Sequence, residues 1–446
     1  MDIKRQTFLV VGISKSGFAV ANYILSNGGK CFLFEELSSP KIEDAISKLT
    51  QIGGVKIEQE NVDNILVHID NVVISPGVPI NHHVAIKAKN LGKRIIGELE
   101  FGFLQFTPTT IAITGTNGKT TTATLIDEIF KTAGLDSMLV GNVGVPITSR
   151  VCDANKDTIC VAEVSSFQLE STALFCPHVS CVLNIKPDHL ERHYTMENYI
   201  YLKKRIFKNQ RESEYAVLNY DDEVVRAFSD ETRAKVIFVS LKERVDGAYR
   251  INEKLYYKNE FIINQNELTL KGEHNVFNSL FAIAVAKLFY LENKDIVSAL
   301  SNFKGVKHRM EFIGLKEGVE FYNDSKATNT ASTISAIEGL AKPTILILGG
   351  SEKGETYLEL FEKIKSSVVK HVVITGASRN NMLECADRVG YDKITLTYDF
   401  TTAVKIAKLI SEEGDCILLS PACASFDNFS SYEERGEKFR QIVEEL

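Results

Sequence analysis

The stretch Ile111-Ala112-Ile113-Thr114-Gly115-Thr116-Asn117-Gly118-Lys119-Thr120-Thr121 is the strongest structural signal in the chain. An apolar strand runs into a glycine-bearing turn, and Lys119 then opens a segment with a helical pattern. In such a strand–turn–helix, backbone N–H groups and the helix N-terminus surround an anionic phosphate. The lysine reaches the terminal phosphates, and Thr120 can hold a magnesium ion. The sequence therefore predicts an ATP-binding loop made of Gly115, Thr116, Asn117, Gly118, Lys119, Thr120 and Thr121.

The spacing of this loop departs from the usual G-x-x-x-x-G-K-[ST] pattern. Ile113 stands where that pattern has its first glycine, and the nearest glycine is Gly115. An ordinary strand–turn–helix connection with a surface lysine is the alternative interpretation. Gly-Lys-Thr-Thr directly after a strand favours nucleotide binding.

Length and composition restrict the classes of protein. The chain has 446 residues, which exceeds a single core and predicts about three domains. No apolar stretch reaches the roughly 18 residues that span a bilayer, and the N-terminal apolar run is too short for a signal peptide. A net charge of −7 without a basic cluster argues against nucleic acid as a partner. We expect a cytoplasmic protein with no membrane or nucleic-acid partner.

Cysteine usage agrees with that compartment. The eight cysteines contain no C-x-x-C pair. Reduced thiols are the simple interpretation, and the cysteine pattern predicts neither disulfides nor a zinc site.

Short strands rich in Val, Ile and Leu alternate with helical patterns along most of the chain, which predicts an α/β protein with parallel sheets. Strands at 8–12, 111–115 and 345–350 each end in a glycine-containing turn, and each is expected to start a doubly wound unit. Residues 249–265 alternate apolar and polar residues and predict a hairpin. We therefore expect three domains, each a mainly parallel sheet with flanking helices. The first and last are Rossmann-like and the central one resembles a P-loop ATPase, with bounds 1–107, 108–305 and 306–446.

The turn of the first domain, residues 12–17, looks like G-x-G-x-x-G with Ser14 in place of the middle glycine. A diphosphate could sit on the amides of Ser14, Lys15 and Ser16 at a helix N-terminus. Glu35 and Glu36 follow the second strand, where a ribose-binding acid often lies. The residues alone leave a ligand site and a purely structural turn equally open.

Polar side chains follow several strands of the central domain. Glu163 ends the strand 159–164, where a carboxylate beside a phosphate loop is placed to bind magnesium. Asn142 follows another strand and could meet the phosphates. His189 follows a strand at 179–185 and could bind a metal or a substrate carboxylate, although an isolated histidine is more often structural.

Three loops of the last domain are expected to converge at one sheet edge. They are 324–329, with an acid, a cation and hydroxyls; 349–354, with a lysine; and 420–429, rich in small residues. This set suits an anionic substrate. Cys423 could be a nucleophile, but it lacks an evident histidine partner and is better interpreted as a buried thiol.

With these residues in place, the sequence resembles the Mur ligases, which build the stem peptide of peptidoglycan. Residues 114–121 look like the ATP loop of that family, with the same shortened spacing. Three further segments, 308–311, 323–329 and 420–429 with 433–436 after it, resemble the member that adds D-glutamate. The resemblance covers all three predicted domains.

The resemblance implies an ATP-dependent amide ligase. Its first domain would bind UDP-N-acetylmuramoyl-L-alanine, its second ATP with two Mg2+ ions, and its third D-glutamate. ATP would phosphorylate the terminal carboxylate to an acyl phosphate, and the amine of D-glutamate would attack it through a tetrahedral intermediate. We expect a monomer, since no interface motif is visible.

The resemblance also assigns residues by position. Lys119, His189 and Lys203 would be catalytic, with Lys203 carbamylated by carbon dioxide. Its neighbour Lys204 fits the spacing less well. Metal ligands would be Thr120 and Glu163 for the first ion, and His189 and Lys203 for the second. ATP contacts would add Asn142, Asn275, Asn278, Arg309 and Asp324; D-glutamate would meet Lys326, Thr328, Lys353, Ser425 and Tyr432; and UDP would meet Ser14, Lys15, Ser16, Ser75 and Gly77.

Three alternatives stay open. One is another amide ligase of this fold, such as a folylpolyglutamate synthetase or a sister Mur ligase, and residues 326–329 and 420–425 speak against it. A second is a nucleotide-binding regulator without turnover. A third is an NAD-dependent dehydrogenase, suggested only by residues 12–17.

Overall fold

A computed structural model describes residues 1–105, 108–352 and 356–446. Its internal contacts divide the chain into two compact units. The first comprises Met1–Leu268 and Phe277–Asn302, and the second Thr269–Val276 and Phe303–Leu446.

The N-terminal part of the first unit is a parallel sheet with helices on both faces. Its elements are β1 (Thr7–Val11), β2 (Lys30–Phe34), β3 (Val55–Lys56), β4 (Asn71–Ile74), β5 (Arg94–Gly97), α1 (Lys15–Ser26), α2 (Pro40–Gln51), α3 (Val62–His68), α4 (His83–Asn90) and α5 (Glu98–Gln105). The strand order is β3-β2-β1-β4-β5. Phe8, Leu9 and Val10 of β1 are fully buried, as expected for a central strand covered on both faces.

A second, nine-stranded sheet follows in the same unit. Its strands are β6 (Thr109–Thr114), β7 (Ser137–Gly141), β8 (Ile159–Glu163), β9 (Val179–Val182), β10 (Tyr215–Asn219), β11 (Lys235–Ser240), β12 (Gly247–Ile251), β13 (Lys254–Tyr257) and β14 (Glu260–Asn264). Its helices are α6 (Lys119–Thr132), α7 (Ser166–Glu170), α8 (Leu190–His193), α9 (Met196–Lys204), α10 (Glu223–Ala227), α11 (Glu273–Leu288) and α12 (Asn293–Asn302). The first four residues of α11 belong to the second unit. The order is β14-β13-β12-β11-β10-β9-β6-β8-β7, parallel except for β12–β13–β14. This antiparallel end confirms the hairpin predicted for residues 249–265.

A buried carboxylate joins the two sheets of this unit. Glu100, at the N-terminal end of α5, accepts hydrogen bonds from the backbone N–H groups of Ala173, Leu174 and Phe175 at 3.0, 2.8 and 3.0 Å. Its side chain is fully buried. Three charge-assisted bonds satisfy this carboxylate and fix α5 against the segment after α7.

The second unit is built on a six-stranded sheet. Its elements are β15 (Glu311–Lys316), β16 (Val319–Asn323), β17 (Thr344–Gly349), β18 (Val369–Thr375), β19 (Ile394–Leu396), β20 (Cys416–Leu419), α13 (Thr330–Glu338), α14 (Leu358–Lys365), α15 (Arg379–Val389), α16 (Phe400–Leu409) and α17 (Tyr432–Glu445). The order is β15-β16-β20-β17-β18-β19, and only the β15–β16 pair is antiparallel. Apolar residues pack on both faces of this sheet.

The predicted fold class is confirmed, since three mainly parallel sheets with flanking helices follow one another along the chain. The strand predicted at 179–185 is shorter and ends at Val182. Among the described residues, no helix is long and apolar enough to cross a membrane.

Candidate active site

The ATP loop lies where β6 passes into α6, in the middle of the nine-stranded sheet. Gly115 and Gly118 have φ of 151° and 86°. A Cβ atom at Gly118 would lie 2.5 Å from Oδ1 of Asn278, so glycine is required there by both conformation and space. Asn278 also accepts a hydrogen bond from Oγ1 of Thr122 at 3.2 Å. The helix α11 therefore supports the loop from behind.

The carboxylate of Glu163 stands beside this loop, as the sequence predicts. Oγ1 of Thr120 donates to its Oε2 at 2.6 Å, and Nδ2 of Asn142 donates to its Oε1 at 2.7 Å. Glu163 is 1% exposed and ends β8, the parallel neighbour of β6. A hydroxyl, an amide and a carboxylate thus converge at the carboxyl edge of adjacent strands. The oxygens of Thr120 and Glu163 are hard donors that fit Mg2+.

Lys119 lies folded against its own loop. Its Nζ donates to the carbonyl oxygens of Gly115 and Thr116 at 3.0 and 2.8 Å. The loop is held in place by the segment after β9, because Oδ1 of Asn184 accepts from the N–H of Asn117 at 2.8 Å. A terminal phosphate would compete with the two carbonyls for the ammonium group.

Lys203 of α9 is the most unusual lysine of the site. It is 1% exposed, its Nζ donates to the Gly115 carbonyl at 2.7 Å, and it lies 4.7 Å from the ring centre of Tyr199. Burial lowers its pKa well below the ordinary lysine value. The charge of Lys119 adds to this shift in pKa, against Asp188 and Glu163. Lys203 therefore has a much larger neutral fraction than a solvated lysine.

The neighbouring lysine is placed quite differently. Lys204 forms an ion pair with Glu231 at 2.5 Å, and its side chain is 26% exposed. Of the two adjacent lysines, only Lys203 faces the ATP loop, in the register that the sequence favours.

His189 begins α8 with a left-handed backbone conformation, φ 56°. Its ring lies 3.6 Å from a carboxylate oxygen of Asp188, 3.5 Å from one of Glu191, and 4.8 Å from the centre of Phe167. Asp188 also influences the pKa of Lys203, so the electrostatic neighbourhoods of His189 and Lys203 overlap.

Two buried polar residues of this region had no assigned role in the sequence. His193 is fully buried, and its Nε2 lies 2.9 Å from Oγ of Ser166. Burial lowers its pKa to about 4, with the charges of His189, Arg192 and Lys203 as further causes, so it is neutral at pH 7. The hydroxyl of Tyr199 lies 3.1 Å from Oγ1 of Thr116. Neither residue stands in a recognisable sequence motif, so no local signal in the sequence singles them out.

The five residues expected to meet UDP belong to the first sheet. Ser14 is the N-cap of α1, and Lys15 and Ser16 begin that helix. Oγ of Ser75 donates to the Gly12 carbonyl at 2.7 Å, which joins the turns after β4 and β1, and Gly77 lies two residues further on. All five therefore follow the carboxyl ends of adjacent parallel strands.

The carboxylate of Glu35 accepts hydrogen bonds from the backbone at this edge of the sheet. Its Oε2 accepts from the N–H of Ile13 at 2.6 Å, and its Oε1 accepts from the N–H of Leu37 at 3.0 Å. Of the two acids at the end of β2, Glu35 thus holds the loop, and Glu36 faces His82 and His83.

In the second unit, Asp324 and Arg309 form one cluster. Asp324 is fully buried and accepts from Oγ of Ser420 at 2.8 Å, the N–H of Met310 at 3.2 Å and the Arg309 guanidinium at 3.5 Å. Burial raises the pKa of Asp324, and these three partners oppose that shift. Asn275, also expected to contact ATP, donates from Nδ2 to the Lys271 carbonyl at 2.8 Å in the same unit.

Arg435 lies in the segment 433–436, and the sequence alone assigns it no role. Its guanidinium is buried, and it donates to the hydroxyl and carbonyl of Ser325 at 3.0 and 2.8 Å, to the carbonyls of Cys423 and Ala424 at 3.0 and 3.2 Å, and to that of Gly349 at 3.5 Å. These partners lie at or after the carboxyl ends of β16, β20 and β17, which are neighbours in the sheet. The predicted convergence is confirmed for the described parts of the three loops, and one arginine holds them together.

Several positions expected to contact D-glutamate lie in the loops that this arginine joins. Nζ of Lys326 lies 3.3 Å from the Tyr432 hydroxyl, and the Tyr432 carbonyl accepts from Oγ of Ser325 at 2.8 Å. Thr328 follows Lys326 in the same turn, and Ser425 is 2% exposed in the loop after β20. Lys353 lies outside the described residues.

Cys423 is buried in this loop, as expected. Its Sγ lies 3.1 Å from the hydroxyl of Tyr357 and 3.3 Å from that of Ser378. These contacts give it a packing role.

Fold and site together define a nucleotide-binding α/β enzyme. Three family models match in sequence order: the Mur ligase MurD-like N-terminal domain over residues 6–97, the Mur ligase middle domain over 113–286, and the Mur ligase glutamate ligase domain over 308–423. The chain is similar to the UDP-N-acetylmuramoylalanine–D-glutamate ligase of Clostridioides difficile (strain 630), with 41% identity over 100% of both chains. A protein of the same name from Caldanaerobacter subterraneus subsp. tengcongensis is 39% identical, again over 100% of both chains. The chain belongs to the Mur ligase family.

Solved structures support the fold at much lower identity. MurF from Acinetobacter baumannii matches with a TM-score of 0.65 and 16% identity, covering 93% of this chain and 91% of that one. The MurF ligase from Thermotoga maritima, in complex with ADP, matches with a TM-score of 0.60 and 17% identity, covering 100% and 99%.

Proposed function

We propose that this protein is the ligase that adds D-glutamate to UDP-N-acetylmuramoyl-L-alanine at the expense of ATP, in the synthesis of peptidoglycan precursors. The observation that carries the proposal is the full-length identity of 41% to a relative named for this activity. The structure adds a phosphate loop, a buried carboxylate beside it, and a second unit whose loops converge on cationic and hydroxyl groups.

Thr120 and Glu163 would hold a first Mg2+, since their oxygens already converge and suit a hard cation. His189 and a carbamylated Lys203 would hold a second one. Bound Mg2+ would neutralise charge between the two anions that react, the nucleotide and the substrate carboxylate.

The environment of Lys203 supports its carbamylation. Only a neutral amine attacks carbon dioxide: a new N–C bond forms, one C–O π pair moves to oxygen, and the nitrogen loses a proton to water. The lowered pKa of the buried Lys203 supplies the neutral amine. The product is an anionic oxygen ligand in place of a cation beside Lys119, which relieves the repulsion between two neighbouring lysines.

In the reaction, the terminal carboxylate of the L-alanyl substrate attacks the γ-phosphorus and ADP leaves. The amine of D-glutamate then attacks the acyl carbon, and phosphate leaves from the tetrahedral intermediate. Lys119 stabilises the charge on the transferred phosphoryl group. Arg309 and Asp324 of the second unit would contact ATP, together with Asn275.

The remaining contacts follow the charge of each substrate. Lys326, Thr328, Ser425, Tyr432 and Lys353 would bind D-glutamate, whose two carboxylates suit cations and hydroxyls. The N-terminus of α1 and the turn after β4 would bind the UDP moiety through Ser14, Lys15, Ser16, Ser75 and Gly77. We further propose domain bounds of 1–107, 108–305 and 306–446, a monomer, and a cytoplasmic location, where ATP and nucleotide-linked precursors are found.

Phosphate release from ATP tests this proposal. The purified protein is given UDP-N-acetylmuramoyl-L-alanine with D-glutamate, L-glutamate, L-lysine or L-alanine. We expect release only when D-glutamate and the nucleotide substrate are both present. Phosphate release with another amino acid would assign the protein to a sister activity of the family. ATP binding without phosphate release for any of these substrate pairs would favour a nucleotide-binding regulator.

A further inference from the structure

Two adjacent histidines and a glutamate converge at the carboxyl edge of the first sheet. Glu36 follows β2, and His82 and His83 stand at the start of α4, after β4. In the sheet, β2 and β4 lie on either side of β1. The cluster therefore bridges over the end of β1 and joins two loops that are 46 residues apart in sequence.

We propose that Glu36, His82 and His83 form a binding site for a divalent transition-metal ion of the Zn2+ class, separate from the Mg2+ positions of the ATP loop. One ligand atom from each residue lies within 4.8 Å of the others. Nε2 of His82 is 3.1 Å from Oε2 of Glu36, and Nδ1 of His83 is 3.6 Å from its Oε1. Ligands of a tetrahedral Zn2+ with bonds of about 2.0 Å stand about 3.3 Å apart, so each histidine lies at ligand spacing from one of the two Glu36 oxygens.

The donor set selects the kind of metal. Two imidazoles and one carboxylate suit Zn2+, Co2+ or Ni2+, whereas Mg2+ prefers oxygen ligands throughout. Three protein ligands leave a fourth position for water. The side chains of His82, His83 and Glu36 are 15%, 37% and 46% exposed, so an ion reaches the site from solvent.

The surroundings fix the two rings. Phe34, the last residue of β2, lies 6.4 Å from the His82 ring and 6.1 Å from the His83 ring, and the two imidazoles are 4.3 Å apart. Nε2 of Gln59 lies 3.1 Å from Nε2 of His83, on the other side of the ring from the Nδ1 that faces Glu36. A half-turn of the Gln59 amide group places its oxygen at this position, where it accepts the Nε2 proton and leaves Nδ1 of His83 free for the metal.

His82 must change its tautomer to bind a metal through Nε2. Nδ1 of His82 accepts a bond of 3.3 Å from the N–H of Val84, so the neutral ring carries its proton on Nε2 and donates it to Glu36. Metal binding at Nε2 shifts that proton to Nδ1 through solvent and gives up the long bond to Val84. The number of protons on the ring stays the same.

The test is a titration of the full-length protein with Co2+ and Zn2+ under excess Mg2+, which keeps the oxygen sites filled. We expect one equivalent of Co2+ to give the visible d–d absorption of a four- or five-coordinate ion, without thiolate charge transfer, and Zn2+ to displace it. Glu36→Gln and His83→Ala should each weaken Zn2+ binding by at least about 100-fold, and Gln59→Ala by roughly 10-fold. His68→Ala, which removes an exposed histidine of the same domain, should leave binding unchanged.

A thermal-shift assay distinguishes a loss of metal binding from a defect in folding. Zn2+ should raise the melting temperature of the wild type and His68→Ala, but not that of His83→Ala, whose metal-free melting temperature should stay close to the wild-type value. Equal affinity in Glu36→Gln, His83→Ala and the wild type would overturn the proposal. So would binding only at millimolar Zn2+, or a Co2+ spectrum dominated by thiolate bands.

Discussion

Replacement of Lys203 by alanine separates a catalytic role from a structural one. The wild-type amine is 1% exposed and has one short bond, to the Gly115 carbonyl. Removing one preorganised charged group from such a site costs about 3–4 kcal/mol in the transition state, so turnover should fall by roughly 10²–10³. The loss of one hydrogen bond costs stability only about 1 kcal/mol, and removal of a buried amine offsets part of that.

Rescue distinguishes the carbamate from a simple lysine. Lys203→Ala leaves a cavity in which a short carboxylic acid such as propionate can place its carboxylate where the carbamate would stand, and activity should recover with increasing acid. Lys203→Met fills the same volume and should be inactive without rescue. Lys204→Ala is the matched control, because that lysine pairs with Glu231 at the surface, and its turnover should stay within about twofold of wild type.

Carbon dioxide gives a second readout on the wild-type protein. Enzyme freed of dissolved carbon dioxide should lose activity and regain it with bicarbonate. Full activity without carbon dioxide, together with failure of every acid to rescue Lys203→Ala, would refute the carbamate.

Three further predictions concern other parts of the molecule. Lys119→Ala should lower turnover by roughly 10²–10³ in a phosphate-release assay, because the transferred phosphoryl group loses its cation. Glu100→Gln should lower the free energy of unfolding in urea by about 2–4 kcal/mol, since a neutral amide replaces a buried acceptor of three backbone N–H groups. His193 should destabilise the fold on acidification: its pKa falls from 6.5 to about 4 on folding, so the unfolded chain binds the proton more tightly. The neutral His193 makes its full contribution to the free energy of unfolding above pH 6.5, and this contribution, about 1–2 kcal/mol after solvent screening, is lost as the pH falls toward 4. His193→Gln should therefore flatten the dependence of stability on pH between pH 6.5 and 4.

The first two of these predictions have matched control variants. Lys131→Ala removes a lysine of the same helix that pairs with Asp127 at the surface, and its turnover should match wild type. Glu128→Gln, an exposed acid of α6, should leave the urea midpoint unchanged. An unaltered midpoint in Glu100→Gln, or a pH profile of His193→Gln parallel to that of wild type, would contradict the structural argument.

The strands, the ATP loop and the polar residues beside that loop could be predicted from the sequence because they depend on local patterns. Apolar runs that end in glycine give the strands, and parallel strands bring their carboxyl ends to one edge. For that reason Glu163 and Asn142, which follow neighbouring strands, meet beside the loop.

The buried polar residues could not be predicted in this way. Lys203 has the pattern of a solvated helix lysine, and only the packing of α9 against the loop buries it; the family resemblance alone singled it out. Arg435 meets Ser325 across 110 residues of sequence, and Glu100 meets Leu174 across 74. Such contacts depend on tertiary structure, and no local periodicity encodes them.

The most direct test of the central claim follows oxygen from the substrate into phosphate. UDP-N-acetylmuramoyl-L-alanine, labelled with ¹⁸O in its alanyl carboxylate, is incubated with ATP, Mg2+ and D-glutamate, and the phosphate and the nucleotide product are analysed by mass spectrometry. An acyl phosphate predicts one ¹⁸O in each inorganic phosphate and the added mass of one glutamyl residue in the product. Phosphate without ¹⁸O, or ATP hydrolysis without an extended product, would contradict the account.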